Sequence, residues 1–484
     1  MARHQDERPL GALLAPDIMN LLDESPADVA AETEELHPND LADVAEAMPR
    51  DKVRALLDAL GPERAASVLE YLDEDLRNEI LEGMSAEDAA ELVSEMTPDE
   101  RADVLDELDE ETASEILEEL PAEERRATQA LLAFDPDTAG GLMTTEFVSV
   151  NVRLSAEDAL SEVRTIARGG RKEMLYAVYV VDDEGRIKGV LSLKELLAAP
   201  AGAAISDIMW TEVRHVHTSS DREEVARLTT EYDLVAVPVV DDKHEKLVGV
   251  VTVDDVIDAI QEEQTEDVQK LGGMEALDEP YMQISIGGML KKRAGWLSIL
   301  MVSEMFTTSA LQHFDGELQK LPVLMLFVPL VMSGGGNSGS QATSLVTRAI
   351  ALKEVEIKDW WRVALREFPS GIVLGSLLGA IGVVRILAWQ YMYASGVTMF
   401  GDRIGYDYSV GGVPYILVAL NVFLSMIGIV TFGSLAGSML PFALRRMGFD
   451  PASASAPFVA TLVDVTGLVI YFTVALLVLG KYMG

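Results

Sequence analysis

The chain has no cysteine among its 484 residues, which excludes disulfides and thiolate metal sites and is compatible with a reducing cytoplasm. Its six histidines are scattered without metal-ligand spacing, so no motif points to an imidazole-held metal. Bases are also short: 38 Lys and Arg stand against 80 Asp and Glu, a net charge of -42. Such a chain is a poor partner for nucleic acid or an anionic lipid surface, and it attracts cations. The opening M-A-R-H-Q-D-E-R-P lacks the apolar run of a signal peptide, so the acidic part is expected to stay where it is synthesised. No nucleophile–base constellation is present, which argues against an enzyme.

The charge is unevenly spread. Before Tyr281 there are about 69 acids and 24 bases, and from there on about 11 and 14. The acidic part opens with a repeat of about 12 residues from Ser25 to Leu132, as in HPNDLADVAEAM, PRDKVRALLDAL and GPERAASVLEYL. Each unit begins with a turn or capping residue and carries apolar residues at its fifth, eighth, ninth and twelfth places, the last always Leu or Met. This predicts short capped helices that bury their stripes only by stacking on neighbours, an all-α helical array over 1–140. The outward acids form a solvated face, with a minority free to serve as cation ligands shared with another domain.

From Gly141 to about Ile260 the pattern becomes β-branched runs alternating with helical ones, and it occurs twice. YAVYVVDDEGRIKGVLSLKELL is matched by VAVPVVDDKHEKLVGVVTVDDVI. This resembles a tandem pair of cystathionine-β-synthase (CBS) modules, α/β units that sense ligands. The Gly249–Thr252–Asp255 ending is similar to the element that holds a nucleotide ribose in such modules, implying a nucleotide such as ATP at Thr252 and Asp255. The first copy has Gly189, Ser192 and Glu195 instead, which puts a site there in doubt. Residues 261–293 continue as an acidic connecting helix, too polar to insert in a membrane.

The remainder, 294–484, reads as an α-helical membrane domain of five spans: about Ala294–His313, Leu321–Ile350, Pro369–Tyr393, Val413–Leu444 and Ala456–Leu479. Bases cluster at Lys291–Arg293, at Arg348 to Arg366 and at Arg445–Arg446, so the positive-inside rule places the N-terminal half in the cytoplasm and the C-terminus outside. Arg385 is expected to snorkel to the outer interface. The fifth span contains one charge, Asp464, with no base on the same helix. An ionised Asp at mid-membrane costs about 2.5–3.5 kcal/mol and normally faces a bundle interior or water. Thr461, Thr466 and Gly467 nearby suit close packing as well as a hydrated path. In the second span Gly334–Gly336 are expected to break the helix and free carbonyls toward a cavity, with Asn337 and Gln341 one turn apart to bond an ion's hydration water. Glu304, in the first span, either packs on a polar neighbour or lines the path.

The order of these parts, with P-x-x-x-x-G-G-G-N-x-G-x-Q (Pro329–Gln341) and A-T-L-V-D-V-T-G (Ala460–Gly467), resembles the MgtE family of magnesium channels along nearly the whole chain. The resemblance implies a homodimeric Mg²⁺ channel of a bacterial-type cytoplasmic membrane, closed by internal Mg²⁺. It implies that Asp464 and the Ala460 carbonyl face hydrated Mg²⁺ beside Asn337. It further implies that Asp221, Glu223, Asp233, Asp255, Asp258, Glu263, Glu266 and Asp267, and by a weaker alignment Asp99 and Asp103, bind regulatory Mg²⁺. Ala456, where some relatives have Asn, and Glu304, where some have a small residue, leave fine selectivity open. The alternatives are a CBS-regulated transporter of another divalent cation or an anion, or a nucleotide-sensing membrane scaffold.

Overall fold

The computed structural model describes residues 9–168, 177–200, 202–277, 281–282, 284–399, 402–409 and 412–483. The opening eight residues and Tyr176 of the first β-run lie outside them. The chain divides into two compact units, Met1–Glu263 and Gln264–Gly484.

In the first unit, α1 (Pro9–Glu24) precedes the repeat, whose units then form α2 (Pro38–Glu46), α3 (Arg50–Leu60), α4 (Pro62–Glu70), α5 (Glu74–Glu82), α6 (Ala86–Ser94), α7 (Pro98–Glu107), α8 (Glu110–Glu119) and α9 (Ala122–Leu131). Side chains cap some of these helices: the Ser85 hydroxyl accepts from the Asp88 amide at 3.2 Å, and Asp109 accepts from Glu111 and Thr112, each at 3.1 Å. The stripe is buried as its spacing demands. In α3, Val53, Leu56 and Leu57, with Leu60 at its end, lie in one continuous core with Leu41 and Val44 of α2. Fully burying such a side chain stabilises by about 1.5–3 kcal/mol, which helices of nine to eleven residues cannot gain alone. Three fifth-place residues break the apolar rule: Arg77, which pairs with Glu107, and Arg101 and Arg125. Arg101 donates to the carbonyls of Val93, Ser94 and Met96 at 2.9, 3.0 and 2.7 Å, and Arg125 to that of Leu120 at 2.9 Å. Both satisfy carbonyls left open at the end of the preceding helix.

Two modules follow. Strands β1 (Val148–Asn151), β2 (Ala177–Val181) and β3 (Ile187–Ser192) form one sheet, and β4 (Val216–His217), β5 (Ala236–Val240) and β6 (Leu247–Thr252) the other. In each, the first pair is parallel and the second antiparallel. Helices α10 (Ala156–Arg168) and α11 (Leu193–Ala198) belong to the first copy, and α12 (Arg222–Tyr232) and α13 (Val253–Leu271) to the second. The copies exchange their leading segments: Thr144 bridges to Val250 of β6, and Trp210 to Val190 of β3. Gly189 and Gly249 permit these crossings, since a Cβ there would meet Trp210 O at 2.9 Å or Thr144 O at 2.8 Å.

The second unit is a helical bundle of α14 (Ile286–His313), α15 (Val328–Ala351), α16 (Trp360–Ala394), α17 (Tyr415–Arg446) and α18 (Ala456–Met483). Four stretches among the described residues are long and apolar enough to cross a membrane: Ile286–His313, Ile357–Ala394, Tyr415–Arg446 and Ala456–Tyr482. The expected second span is a helix of 24 residues whose Gly, Ser, Asn, Gln and Thr content leaves it outside that set, so five apolar spans become four with a more polar fifth helix packed among them.

The expected glycine break is absent: α15 is α-helical through Gly334–Gly336. The glycines serve packing instead. A Cβ on Gly433 would stand 2.5 Å from Gly335 O, one on Gly437 would collide with Gly339 O, and one on Gly339 would meet Val459 at 2.8 Å. Small residues let α15 and α17 approach backbone to backbone, as membrane helices do when apolar burial gives no drive. Across the same seam, the Ser338 and Ser434 hydroxyls bond at 2.7 Å.

Candidate cation path and regulatory sites

Asp464 lies midway along α18, partly buried, and neither pairs with a base nor accepts a hydrogen bond among the described residues. Helices α15 and α18 pack antiparallel: Gly336 faces Ala460 at Cβ distance of 3.4 Å, and the Ser340 hydroxyl donates to the Ala456 carbonyl at 3.2 Å. On α15, Ser333, Asn337 and Gln341 recur every four residues and are all exposed, a polar stripe along a helix whose other faces are buried. Asn337 Nδ2 donates to Ser333 Oγ at 3.4 Å, leaving its carbonyl oxygen open. The stripe runs beside Ala460 and the turn below Asp464, so a carboxylate and amide oxygens share one region of the bundle. Arg385 stacks on Trp389, its guanidinium carbon 3.2 Å from the ring centroid, and donates to Tyr408 OH at 3.3 Å, an aromatic cradle.

The expected regulatory acids fall into two groups. Asp99, on α7, is buried with 6% exposure, and its Oδ1 has no hydrogen-bond partner. Burial raises its pKa, against the lowering effect of the nearby Thr97 and Thr144 hydroxyls. Asp255, in the first turn of α13, takes a bond from the Thr252 hydroxyl, yet its pKa is pushed up to about 8 by burial and by Asp99. Glu100 reaches about 9 through burial and then the charges of Glu70, Asp99, Asp255 and Asp103. Asp103, exposed one turn along α7, adds its charge to Asp99. The repeat domain and the second module thus bring five carboxyls together, and Glu70 and Glu100 were missed from sequence because they look like ordinary outward acids. Among the described residues no three His, Asp or Glu stand close enough to cage an ion directly.

The remaining acids are engaged elsewhere. Asp221 caps α12, accepting from the Glu223 amide at 2.8 Å. Asp233 ends that helix in the left-handed conformation, φ 51°. Glu263 pairs with Arg222, which also holds Glu262 at 3.0 Å and Asp137 at 2.9 Å. Within the second unit Glu266 pairs with Lys270, whose ammonium reaches Asp450 at 2.8 Å. Asp258 is exposed on α13, and Glu223 and Asp267 have interactions of their own.

In the first module the acid corresponding to Asp255 is Glu195. It accepts from the Ser192 amide at 2.8 Å and hydroxyl at 2.9 Å in a capping box, and from the Trp210 indole at 2.8 Å. These bonds, the Ser192 amide first, lower its pKa.

Comparison with known proteins returns the same arrangement. Family models match in order: the MgtE intracellular N domain over residues 36–137, the CBS domain over 139–202 and 205–262, and the MgtE divalent cation transporter domain over 328–474. The magnesium transporter MgtE of Thermus thermophilus is 41% identical over 355 residues, 73% of each chain. That of Enterococcus faecalis is 34% identical over 349 residues, 71% of this chain and 70% of its own. A solved structure of the cytosolic domain of the Mg²⁺ channel MgtE in complex with ATP is 34% identical, covering 51% of this chain and 99% of its own with a TM-score of 0.48. With two curated relatives above 30% identity over more than two thirds of their length, and family models matched in order from the repeats to the bundle, this chain belongs to the MgtE family of divalent cation transporters.

Proposed function

We propose that the chain is a homodimeric Mg²⁺ channel of the cytoplasmic membrane, with its acidic half inside and its C-terminus outside. Its curated relatives are named magnesium transporters. The observation that carries the reading is Asp464: a carboxylate paired with no base among the described residues, midway along an apolar helix beside the polar stripe of α15. Mg²⁺ dehydrates reluctantly, so carboxylate, carbonyl and amide oxygens that bond its water shell suit it better than a dry cage. A two-fold axis would bring two copies of Asp464 to one ion. The excess of acid argues against an anion path.

Closure by internal Mg²⁺ follows from the carboxyls of Asp99, Glu100, Asp103 and Asp255. Two like charges 4 Å apart at an effective dielectric near 20 repel by roughly 4 kcal/mol, so a hydrated divalent ion stabilises the compact arrangement over the open one, as linkage requires. The unpartnered Asp99 Oδ1 supports a cation there. ATP binding at the second module, through Thr252 and Asp255, would add to the compact state. The test is Mg²⁺ uptake into liposomes holding the purified chain: Asp464→Ala should abolish it while insertion and dimerisation persist. Wild-type uptake in that variant, or Cl⁻ flux in place of Mg²⁺, would overturn the reading.

A further inference from the structure

Helix α14 rests against α18 along one stripe. Trp296, Leu300, Glu304, Thr307, Ala310 and Phe314 are its sheltered positions, whereas Met301, Val302, Met305 and Phe306 are exposed. Two aromatic contacts fix the register. The rings of Trp296 and Phe458 lie 6.2 Å apart, and those of Phe314 and Phe472 stack at 4.7 Å. The helices therefore run parallel, and residues about 160 apart in sequence are level midway between these contacts. That level holds Glu304 and Asp464, and one turn further on, Thr307 and Gly467. The two carboxyls act on each other electrostatically, and among the described residues neither has a base or a hydrogen-bond donor.

A second observation is independent of the acids. Thr307 is 5% exposed, and its hydroxyl has no hydrogen-bond partner. Its neighbours behave otherwise: Ser298 and Ser309 on α14, and Thr461 and Thr466 on α18, each donate to the carbonyl four residues back. A hydroxyl enclosed without a partner is unfavourable, and this one sits one turn from Glu304 on the stripe that faces α18. Two unpaired carboxylates at one depth are each unfavourable and mutually repelling. A hydrated cation between them removes both penalties, and its water shell also supplies a partner for Thr307.

We propose that Glu304, with Asp464 and the Thr307 hydroxyl, forms a second-carboxylate station for a hydrated divalent cation on the permeation path. This rests on the reading of Asp464 as pore-lining and deepens it, making Glu304 a determinant of cation affinity. Mg²⁺ is held through its water shell by both carboxylates, and the threonine hydroxyl bonds a water of that shell. Loss of the Glu304 charge weakens occupancy, whereas loss of Asp464 removes the site.

The test uses the full chain in liposomes with an enclosed Mg²⁺ indicator. Glu304→Gln should raise the half-saturating Mg²⁺ concentration roughly three- to tenfold, with maximal flux at high Mg²⁺ kept within about twofold. Thr307→Val should shift it in the same direction by less, and Glu304→Asp should restore part of the loss. Because the native chain has no cysteine, Glu304→Cys adds a readout free of background: micromolar Cd²⁺ should block it and leave Leu297→Cys, on the exposed face, unaffected. Unchanged half-saturation in Glu304→Gln and Thr307→Val, with no Cd²⁺ block, would overturn the proposal while Asp464→Ala still abolishes flux. Should Glu304→Gln fail to insert, Thr307→Val and the Cd²⁺ experiment decide. If Asp464→Ala retains flux, the pore assignment fails first, and the two outcomes are separable.

Discussion

Glu195 and Asp255 occupy corresponding places in the two modules, each at the start of the helix after the third strand, and their surroundings are opposite. Glu195 accepts three bonds, from the Ser192 amide and hydroxyl and the Trp210 indole, which lower its pKa. Asp255 has one hydroxyl donor and faces Asp99, and burial with that neighbour pushes it up to about 8. One fold supplies both positions, so the difference lies in what stands opposite. In the first copy it is Trp210, from the segment leading into the second; in the second it is Thr144, whose small side chain leaves room for α7 and Asp99. Glu195 is a helix cap, whereas Asp255 is held at a cost.

The contrast is broken most directly by neutralising each acid. Asp255→Asn should stabilise the first unit of the solubilised chain at pH 8 without divalent ions, by about 1–2 kcal/mol, because a buried like-charge contact disappears. Hydrogen exchange at β6 and the first turn of α13 would register slower opening. Glu195→Gln should act in the other direction, losing about 0.5–1.5 kcal/mol with its capping box, read as a lower melting temperature and altered Trp210 fluorescence.

The pH dependences should also oppose each other. The folded pKa of Asp255 lies above its unfolded value, so the folded state binds more protons. Stability of its surroundings is therefore greatest below pH 4 and falls as pH rises toward about 8. Mg²⁺ added at pH 8 should recover it. Glu195 has a lowered folded pKa, so its contribution is present above the unfolded carboxylate range and lost as pH falls through the folded value. Chemical melts from pH 4 to 8, in chelator and in Mg²⁺, would separate the two through Asp255→Asn and Glu195→Gln. The smallest effect is expected from Trp210→Phe, a few tenths of a kcal/mol at a solvent-exposed ring, detectable as reduced protection of α11 alone.

Much of this was legible in the sequence wherever local spacing decides structure. The 12-residue unit announces both its cap and its stripe, so Leu41, Val44, Val53 and Leu56 could be placed in the core beforehand. The duplicated β-runs gave two sheets of equal topology. Long-range pairing was not legible. The fifth place of each unit was expected to be apolar, and Arg101 and Arg125 depart from it because they satisfy carbonyls at the ends of other helices. Gly334–Gly336 read as a break because propensity weighs a glycine against its own helix, whereas here the side chains of Met426 and Ile429 on α17 and Val463 on α18 fill the space beside them. The expected regulatory acids looked alike, and only the fold separates Glu263 and Glu266, bound to Arg222 and Lys270, from Asp99 and Asp255, which face each other.

The account turns on Asp255 and Asp99 being where internal Mg²⁺ acts, and conductance of the reconstituted channel against internal Mg²⁺ tests that most directly. In the wild type and in Glu195→Gln, conductance should fall as internal Mg²⁺ rises into the millimolar range. In Asp255→Asn with Asp99→Asn it should persist there, because the bridging ion has lost its ligands. A double variant that closes along the wild-type curve would contradict the account and leave these carboxyls as a structural cluster with no part in gating.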